Sequence, residues 1–256
     1  MSLVLTHRLA RTVRLEGVGV HTGEPCAATV GPADRFELVV GGECVPASLD
    51  GVTDAAMGVR IAGVRTIEHL LSALAGRGVF GARIEVEGGE LPILDGSAAR
   101  WCEALETESA GEVEPVAGPA EVRDGDRLVR LEPGPWRVVV ELTDRGGLAA
   151  LGPTRLELDP AAYDAEIAWA RTFAWAPDVP RLLAAGFGRG ANRENTVVVG
   201  EGATEGRGPG EPLRHKALDA IGDLALLGRP WRGTLTLRDS GHDLHIALAR
   251  ALAARG

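Results

Sequence analysis

One stretch constrains this chain more than any other: EPLRHKALDAIGDLALLG, from Glu211 to Gly228. Leu218, Ile221, Leu224 and Ala225 recur at three- and four-residue spacing, the signature of a helix with an apolar stripe. His215, Asp219 and Asp223 recur at every fourth residue of the same segment, so an imidazole and two carboxylates stand in one column. A lone His-x-x-x-Asp pair is more often a solvated face or a local hydrogen bond. In an apolar helix the sharper reading is a metal site, because neutral imidazole and carboxylate are good Zn²⁺ ligands and i, i+4 spacing lets both reach one ion. A catalytic site of this kind needs a third protein ligand and an open position for water. The rest of the chain has to supply that ligand.

Length and composition narrow the search. A chain of 256 residues makes one large domain or two compact ones. Its 45% hydrophobic and 25% charged content is that of a globular enzyme. The net charge of −9 argues against a nucleic-acid partner, since phosphate backbones select basic surfaces. No segment reaches the roughly 20 apolar residues of a membrane span. The N-terminal MSLVLTHRLARTVRLEG breaks its apolar run with His7, Arg8 and Arg11, so it does not read as a signal peptide. Cys26, Cys44 and Cys102 are odd in number and form no C-x-x-C pattern, as expected of reduced thiols in a cytoplasmic protein.

The order of elements predicts an α+β fold. Strand-like runs TVRLEGVGV, CAATV, FELVV and MGVRIAG precede a helix over TIEHLLSALA, Thr66 to Ala75, which Gly76 and Gly78 stop. A strand at Ala82–Glu87 and a helix at Ala98–Leu105 follow. Glu106 to Pro119 is acidic, rich in Gly and Pro and without periodicity, and reads as a linker. Strands at Arg127–Leu131 and Trp136–Leu142, a helical segment around Ala161–Trp169, the helix beginning near Leu213, a strand at Gly233–Arg238 and a final helix at Leu244–Ala254 complete the chain. His69 and His215 each open an apolar helix that ends in glycine and hands over to a strand. Two similar domains are expected, residues 1–110 and 120–256 joined by 111–119, with a site where the two helix starts meet.

His69 therefore becomes the candidate third ligand beside His215 and Asp219, with Glu68 placed to take a proton from water. The bland alternative is that Glu68-His69 is a capping pair at a helix N-terminus. His21 in GVGVHTG, Thr172 in WARTFAW and His242 in DSGHDLH stand in turn or glycine-rich settings. Each alone is more often incidental than catalytic. Together with a metal set they are harder to dismiss.

The motifs GVGVHTG, TIEHLLSALAG, LPILDGSA, ARTF, RHKALDAIGDL and SGH occur in the order found in UDP-3-O-acyl-N-acetylglucosamine deacetylases, the zinc amidases of lipid A biosynthesis, and the chain resembles that family from about Arg11 to about Ala249. The resemblance implies two α+β domains, each a β-sheet layered with α-helices, the helices of both packed centrally. It implies Zn²⁺, or Fe²⁺ in its place, on His69, His215 and Asp219, with Glu68 as general base. His242 resembles the histidine that stabilises the oxyanion and protonates the leaving amine, Asp223 the carboxylate orienting it, and Thr172 a donor to the oxyanion. Phe173 and Lys216 match substrate-contacting positions, and His21 matches a histidine at the diphosphate end. The expected substrate is a nucleotide-linked amino sugar, and the expected state a cytoplasmic monomer.

The chain departs from the family in its trimmed stretch between GVGVHTG and TIEHL and in LTDRGGLAALG, which lacks an aromatic and a proline. Between ARTF and RHK it keeps a helix-like and a strand-like element but ends in a glycine-rich loop, so a shortened or open acyl passage is expected. Two other readings follow: the same chemistry on a smaller, un-acylated N-acetyl sugar, or an inactive sugar-nucleotide-binding relative. A zinc peptidase is disfavoured further, because no H-E-x-x-H helix is present.

Overall fold

The computed structural model describes residues 2–201 and 205–255, so part of the glycine-rich loop noted above lies outside the described residues. Each half of the chain carries a five-stranded sheet. The first runs, in spatial order, Val13–Val18, Pro25–Pro32, Ala82–Glu87, Phe36–Val40 and Glu43–Pro46. The second runs Ala120–Asp124, Arg127–Glu132, Thr234–Arg238, Arg137–Glu141 and Arg155–Leu158. Counted in chain order within each half, both sheets read first, second, fifth, third, fourth. In both, the fifth strand enters the middle, antiparallel to the second and parallel to the third. A parallel neighbour requires a crossover, and in each half a helix supplies it. The shared topology bears out the repeat that the two helix–strand handovers suggested.

The helices are α1 (Glu68–Gly76), α2 (Ala99–Ala104), α3 (Tyr163–Glu166), α4 (Val179–Ala184), α5 (Glu211–Ala225) and α6 (His242–Ala253). Where a strand has one face on helix and the other toward solvent, its burial alternates with period two. In Ala82–Glu87, Ala82, Ile84 and Val86 are buried while Arg83, Glu85 and Glu87 are exposed. Helices α1 and α5 lie between the sheets and are buried nearly all round. Glu68 to Leu74 are buried without a break, and in α5 only Arg214 and Lys216 escape burial. Such helices gain most of their stability from packing on both sides.

The two cross at close range. A Cβ on Gly222 would stand 2.1 Å from the carbonyl oxygen of Glu68, so only glycine lets the backbones approach this near. One turn along α1, Ser72 Oγ donates to the Leu218 carbonyl at 2.7 Å and lies 2.6 Å from the Tyr163 hydroxyl. Gly76 is constrained likewise, since a Cβ there would meet the Tyr163 ring at 2.4 Å.

The structure differs from the sequence reading in three places. The stretch read as an aperiodic linker holds the strand Thr107–Val113, antiparallel to Val4–Leu9, and a short strand Val116–Ala117 beside Trp231–Arg232. Thr107–Val113 is exposed on both faces, so no alternation marks it, and its regularity comes from its partner. The segment around Ala161–Trp169 contains a 3₁₀ turn and the single turn of α3, not a full helix. Helix α6 begins at His242, two residues before the expected start, so His242 belongs to a helix. Between α3 and α5, the strands Thr172–Trp175 and Thr196–Val199 pair in parallel with α4 between them.

Replacing Gly222 by alanine tests the crossing. In an unconstrained helix the change would stabilise by about 1 kcal/mol. Here the clash is with backbone and cannot relax by a rotamer change, so a net loss of about 2 kcal/mol is expected in equilibrium denaturation. An unchanged or raised midpoint would mean that the helices do not touch at Gly222.

Candidate active site

His69 is the second residue of α1, and His215 and Asp219 sit one turn apart on α5, so the crossing brings the three together. One ligand atom from each lies within 4.8 Å of the others, and all three residues are buried. The hydrogen bonds decide which atoms face inward. His215 Nδ1 lies 3.0 Å from the Ala170 carbonyl, an obligate acceptor, so Nδ1 carries the proton. The other ring nitrogen, Nε2, faces Asp219 Oδ1, 3.2 Å away. Burial, reinforced by His215, pushes His69 down to about 3, so its ring is neutral and offers a further lone pair. Burial would raise Asp219, but His215, Lys216 and His242 outweigh it and hold the carboxyl well below its usual range. Two imidazoles and a carboxylate converging on one point suit a divalent cation, and three protein ligands leave room for water. The buried Nδ1 of His69 has no hydrogen-bond partner among the described residues.

Glu68 and His242 flank this set. Glu68 Oε2 accepts from the Val59 amide at 2.9 Å, leaving Oε1 for chemistry. The loop gives way to it at Gly58, where a Cβ would crowd Oε1 at 2.7 Å. His242 Nε2 stands 3.9 Å from both Glu68 Oε1 and Asp219 Oδ2. Burial pushes Glu68 up to about 7, with Asp223 and Asp219 adding to the effect and His242 opposing it. Burial would lower His242, but Asp223, Asp219 and Glu68 together raise it to about 10. Two neighbours whose proton affinities are driven to these values make an acid–base pair near neutral pH. Behind His242, its Nδ1 lies 2.8 Å from Asp223 Oδ2.

The remaining candidates line the same cleft, which has a volume of about 290 Å³. Thr172 faces it from its strand, whose register is set by the Thr172 amide donating to the Gly96 carbonyl at 2.8 Å. Phe173 stands edge-on to His215 with ring centroids 6.3 Å apart, and Lys216 Nζ lies 5.9 Å from the Phe173 ring. Lys216 also reaches Asp219 Oδ2 at 2.8 Å. His21 packs its ring against Phe187 at 5.2 Å. All ten residues singled out from the sequence are thus brought together, nine in the cleft wall and Asp223 just behind it.

Sequence reasoning missed the residues that hold these in place. Glu90 is buried and accepts from the amides of His21 and Thr22 and from the hydroxyls of Thr22 and Thr66, which fixes the loop carrying His21. Arg171 and Glu211 form a buried ion pair at 2.8 Å that ties the strand carrying Thr172 to the start of α5. His245 and Ser240 stand behind Asp223, with His245 Nδ1 2.8 Å from Asp223 Oδ2. A second, apolar cleft of about 290 Å³ adjoins the first and shares Ala174 and Leu182 with it. Val179, Leu183, Phe187 and Val198 give it bulk, and Gly188 is the one glycine in its wall among the described residues. Gly208 and Gly210 pack instead against Trp169 and Leu156, so these glycines do not thin the cleft wall.

The ligand set makes a direct prediction. Purified protein holds one divalent ion per chain, and His215→Ala loses it. Metal analysis that finds equal content in both would remove His215 from the set.

Comparison with known proteins agrees with this geometry. The family profile of UDP-3-O-acyl N-acetylglycosamine deacetylase matches residues 6–254. The chain is 41% identical over 271 aligned positions to a UDP-3-O-acyl-N-acetylglucosamine deacetylase of Anaeromyxobacter sp. (strain Fw109-5), covering 96% of this chain and 88% of that protein. It is 37% identical to the enzyme of that name from Phenylobacterium zucineum (strain HLK1), covering 97% and 93%, and 35% identical to that of Brucella ovis (strain ATCC 25840 / 63/290 / NCTC 10512), covering 95% and 93%. The motifs, the repeated fold and these matches over nearly the whole chain agree: the chain belongs to the UDP-3-O-acyl N-acetylglycosamine deacetylase family.

Proposed function

We propose that the chain hydrolyses the acetamide of a UDP-3-O-acyl-N-acetylglucosamine, releasing acetate and a free amine in lipid A biosynthesis. The observation that carries this reading is the placement of Glu68 and His242 beside the converging set of His69, His215 and Asp219. Zn²⁺ suits two imidazoles and a carboxylate, with Fe²⁺ the alternative, and when bound supplies positive charge that acidifies water and polarises the amide carbonyl.

The chain's own residues do the rest. Glu68 Oε1 takes a proton from the attacking water as its oxygen bonds to the acetyl carbon. The Thr172 hydroxyl donates to the carbonyl oxygen as negative charge gathers there, an interaction worth roughly 3 kcal/mol when well placed. His242 adds its positive charge and gives its Nε2 proton to the nitrogen as the C–N bond breaks. Asp223 keeps the Nδ1–H of His242 in line throughout. Glu68 then holds the proton that His242 lacks, and their 3.9 Å separation lets one water restore both. Phe173 and Lys216 seat the sugar, and His21 meets the diphosphate end. The adjoining apolar cleft favours an acylated sugar over a smaller one, because its wall carries the bulk an alkyl chain would need.

Every one of these residues comes from one chain, so one chain can carry the whole chemistry, and we take the monomer as its working form. Among the described residues no helix is long and apolar enough to cross a membrane. The free cysteines Cys26, Cys44 and Cys102 support a reducing compartment, and we place the enzyme in the cytoplasm.

Two experiments test the reading. Glu68→Ala and His242→Ala should each lower turnover by about 10²–10⁴ while metal content stays intact. Activity should rise as Glu68 ionises around pH 7 and fall as His242 loses its proton around pH 10, and a bound cation would draw both limbs lower. A profile flat across this range would exclude the pair as acid and base. The second experiment concerns the acyl chain. Five buried methylenes at about 0.8 kcal/mol each give about 4 kcal/mol, or roughly a thousandfold. The ratio of kcat/KM for acylated and un-acylated UDP-N-acetylglucosamine should reach that value, and a ratio near one would favour the smaller sugar.

A further inference from the structure

We infer that His245, which the chemistry above does not use, is a positioning residue that pins Asp223 and through it the ring of His242; this rests on the deacetylase reading. The two imidazoles share one oxygen. Asp223 Oδ2 lies 2.8 Å from His242 Nδ1 and 2.8 Å from His245 Nδ1. Asp223 Oδ1 is buried and has no partner among the described residues. A carboxylate bonded through one oxygen can swing about its Cβ–Cγ bond unless the donors on that oxygen fix it. If one donor is withdrawn, little else resists the exchange of Oδ1 for Oδ2.

The two donors differ in what happens to them. His242 faces the cleft and changes charge when its Nε2 proton leaves, so its Nδ1–H becomes a weaker donor midway through the reaction. His245 is fully buried and does not line the cleft. Its other nitrogen, Nε2, lies 2.9 Å from the hydroxyl of Ser240, itself buried. Burial outweighs Asp223 and lowers the proton affinity of His245, which favours a neutral ring. With the Nδ1 proton given to the carboxylate, Nε2 accepts from Ser240. His242 and His245 stand three residues apart on α6 while Asp223 stands on α5, so the same pair of bonds also sets how the two helices meet. The line Ser240–His245–Asp223–His242 therefore has one fixed end and one working end.

Two substitutions separate this role from packing. His245→Asn keeps an N–H close to the position of Nδ1 and loses the contact with Ser240. His245→Gln places its amide near Nε2, keeps Ser240 and leaves Asp223 with one donor. The readouts are the downfield Nδ1–H resonance of His242 in ¹⁵N-histidine-labelled protein, and kcat and KM for acetate release from UDP-3-O-acyl-N-acetylglucosamine. His245→Asn should retain the resonance and keep kcat within about threefold, while His245→Gln should broaden or lose it and lower kcat by about 10- to 100-fold with KM little changed. Ser240→Ala, a milder change that leaves all three titratable groups in place, should shift both readouts in the same direction by less. Equal behaviour of the Asn and Gln variants, or a rise in KM at unchanged kcat, would overturn the inference. Absence of acetate release by the wild type would refute the deacetylase reading instead, and the resonance comparison would still decide whether His245 positions His242.

Discussion

The site depends on one convergence of ligand atoms at the crossing of α1 and α5. His215 donates its Nδ1–H to the Ala170 carbonyl, which sets Nε2 3.2 Å from Asp219 Oδ1. A proton between them would settle that pair alone. The neutral ring of His69 brings a third donor atom to the same place, and one proton cannot serve all three. A divalent cation can. An ion held at the crossing of the two central helices would form a bond between the halves of the molecule.

The rest of the architecture can be read as the means of bringing those atoms together. A repeated sheet places a helix before each inserted middle strand, and the two helices meet with His69 on one and His215 and Asp219 on the other. Gly222 allows the close approach and Ser72 fixes the sliding register of the helices. Outside this centre, buried carboxylates act as clamps on backbone. Glu90 gathers the loop of His21, and Glu211 joins the strand of Thr172 to α5. A buried carboxylate bonded to several donors is far more rigid than a loop held by turns alone, because breaking one bond leaves charge unsatisfied in a low dielectric. Rigid placement of the loops in turn keeps the cleft wall in register with the acid–base pair.

What could be read from the sequence was what local spacing encodes. The four-residue column of His215, Asp219 and Asp223 announced itself because helix geometry alone puts those residues on one side. The strand Ala82–Glu87 was equally plain, since its alternation reflects one buried face. The order of short motifs placed Glu68, His69, Thr172 and His242 on one candidate site before any coordinates. What remained hidden was whatever depends on a partner distant in sequence. Thr107–Val113 is exposed along both faces and is a strand only because Val4–Leu9 lies beside it. Nothing in its local spacing marks Glu90, because it bonds a loop 69 residues earlier. A final helix read from Leu244 leaves SGHD as loop and hides the i, i+3 pair of His242 and His245. The glycine-rich loop after Phe173 suggests an open passage, whereas Gly208 and Gly210 lie where backbone meets Trp169 and Leu156.

If a cation joins α1 to α5, its removal must weaken the whole molecule and not the chemistry alone. The most direct measurement is thermal unfolding of the protein as isolated, after chelation with metal loss verified by analysis, and after return of one equivalent of Zn²⁺. An ion present at about a thousand times its dissociation constant contributes about 4 kcal/mol. For a chain of this length that corresponds to a fall in Tm of about 10 °C on chelation, recovered when the ion is returned. A Tm indifferent to verified metal loss would contradict the account, because His69, His215 and Asp219 would then hold their places without a shared cation.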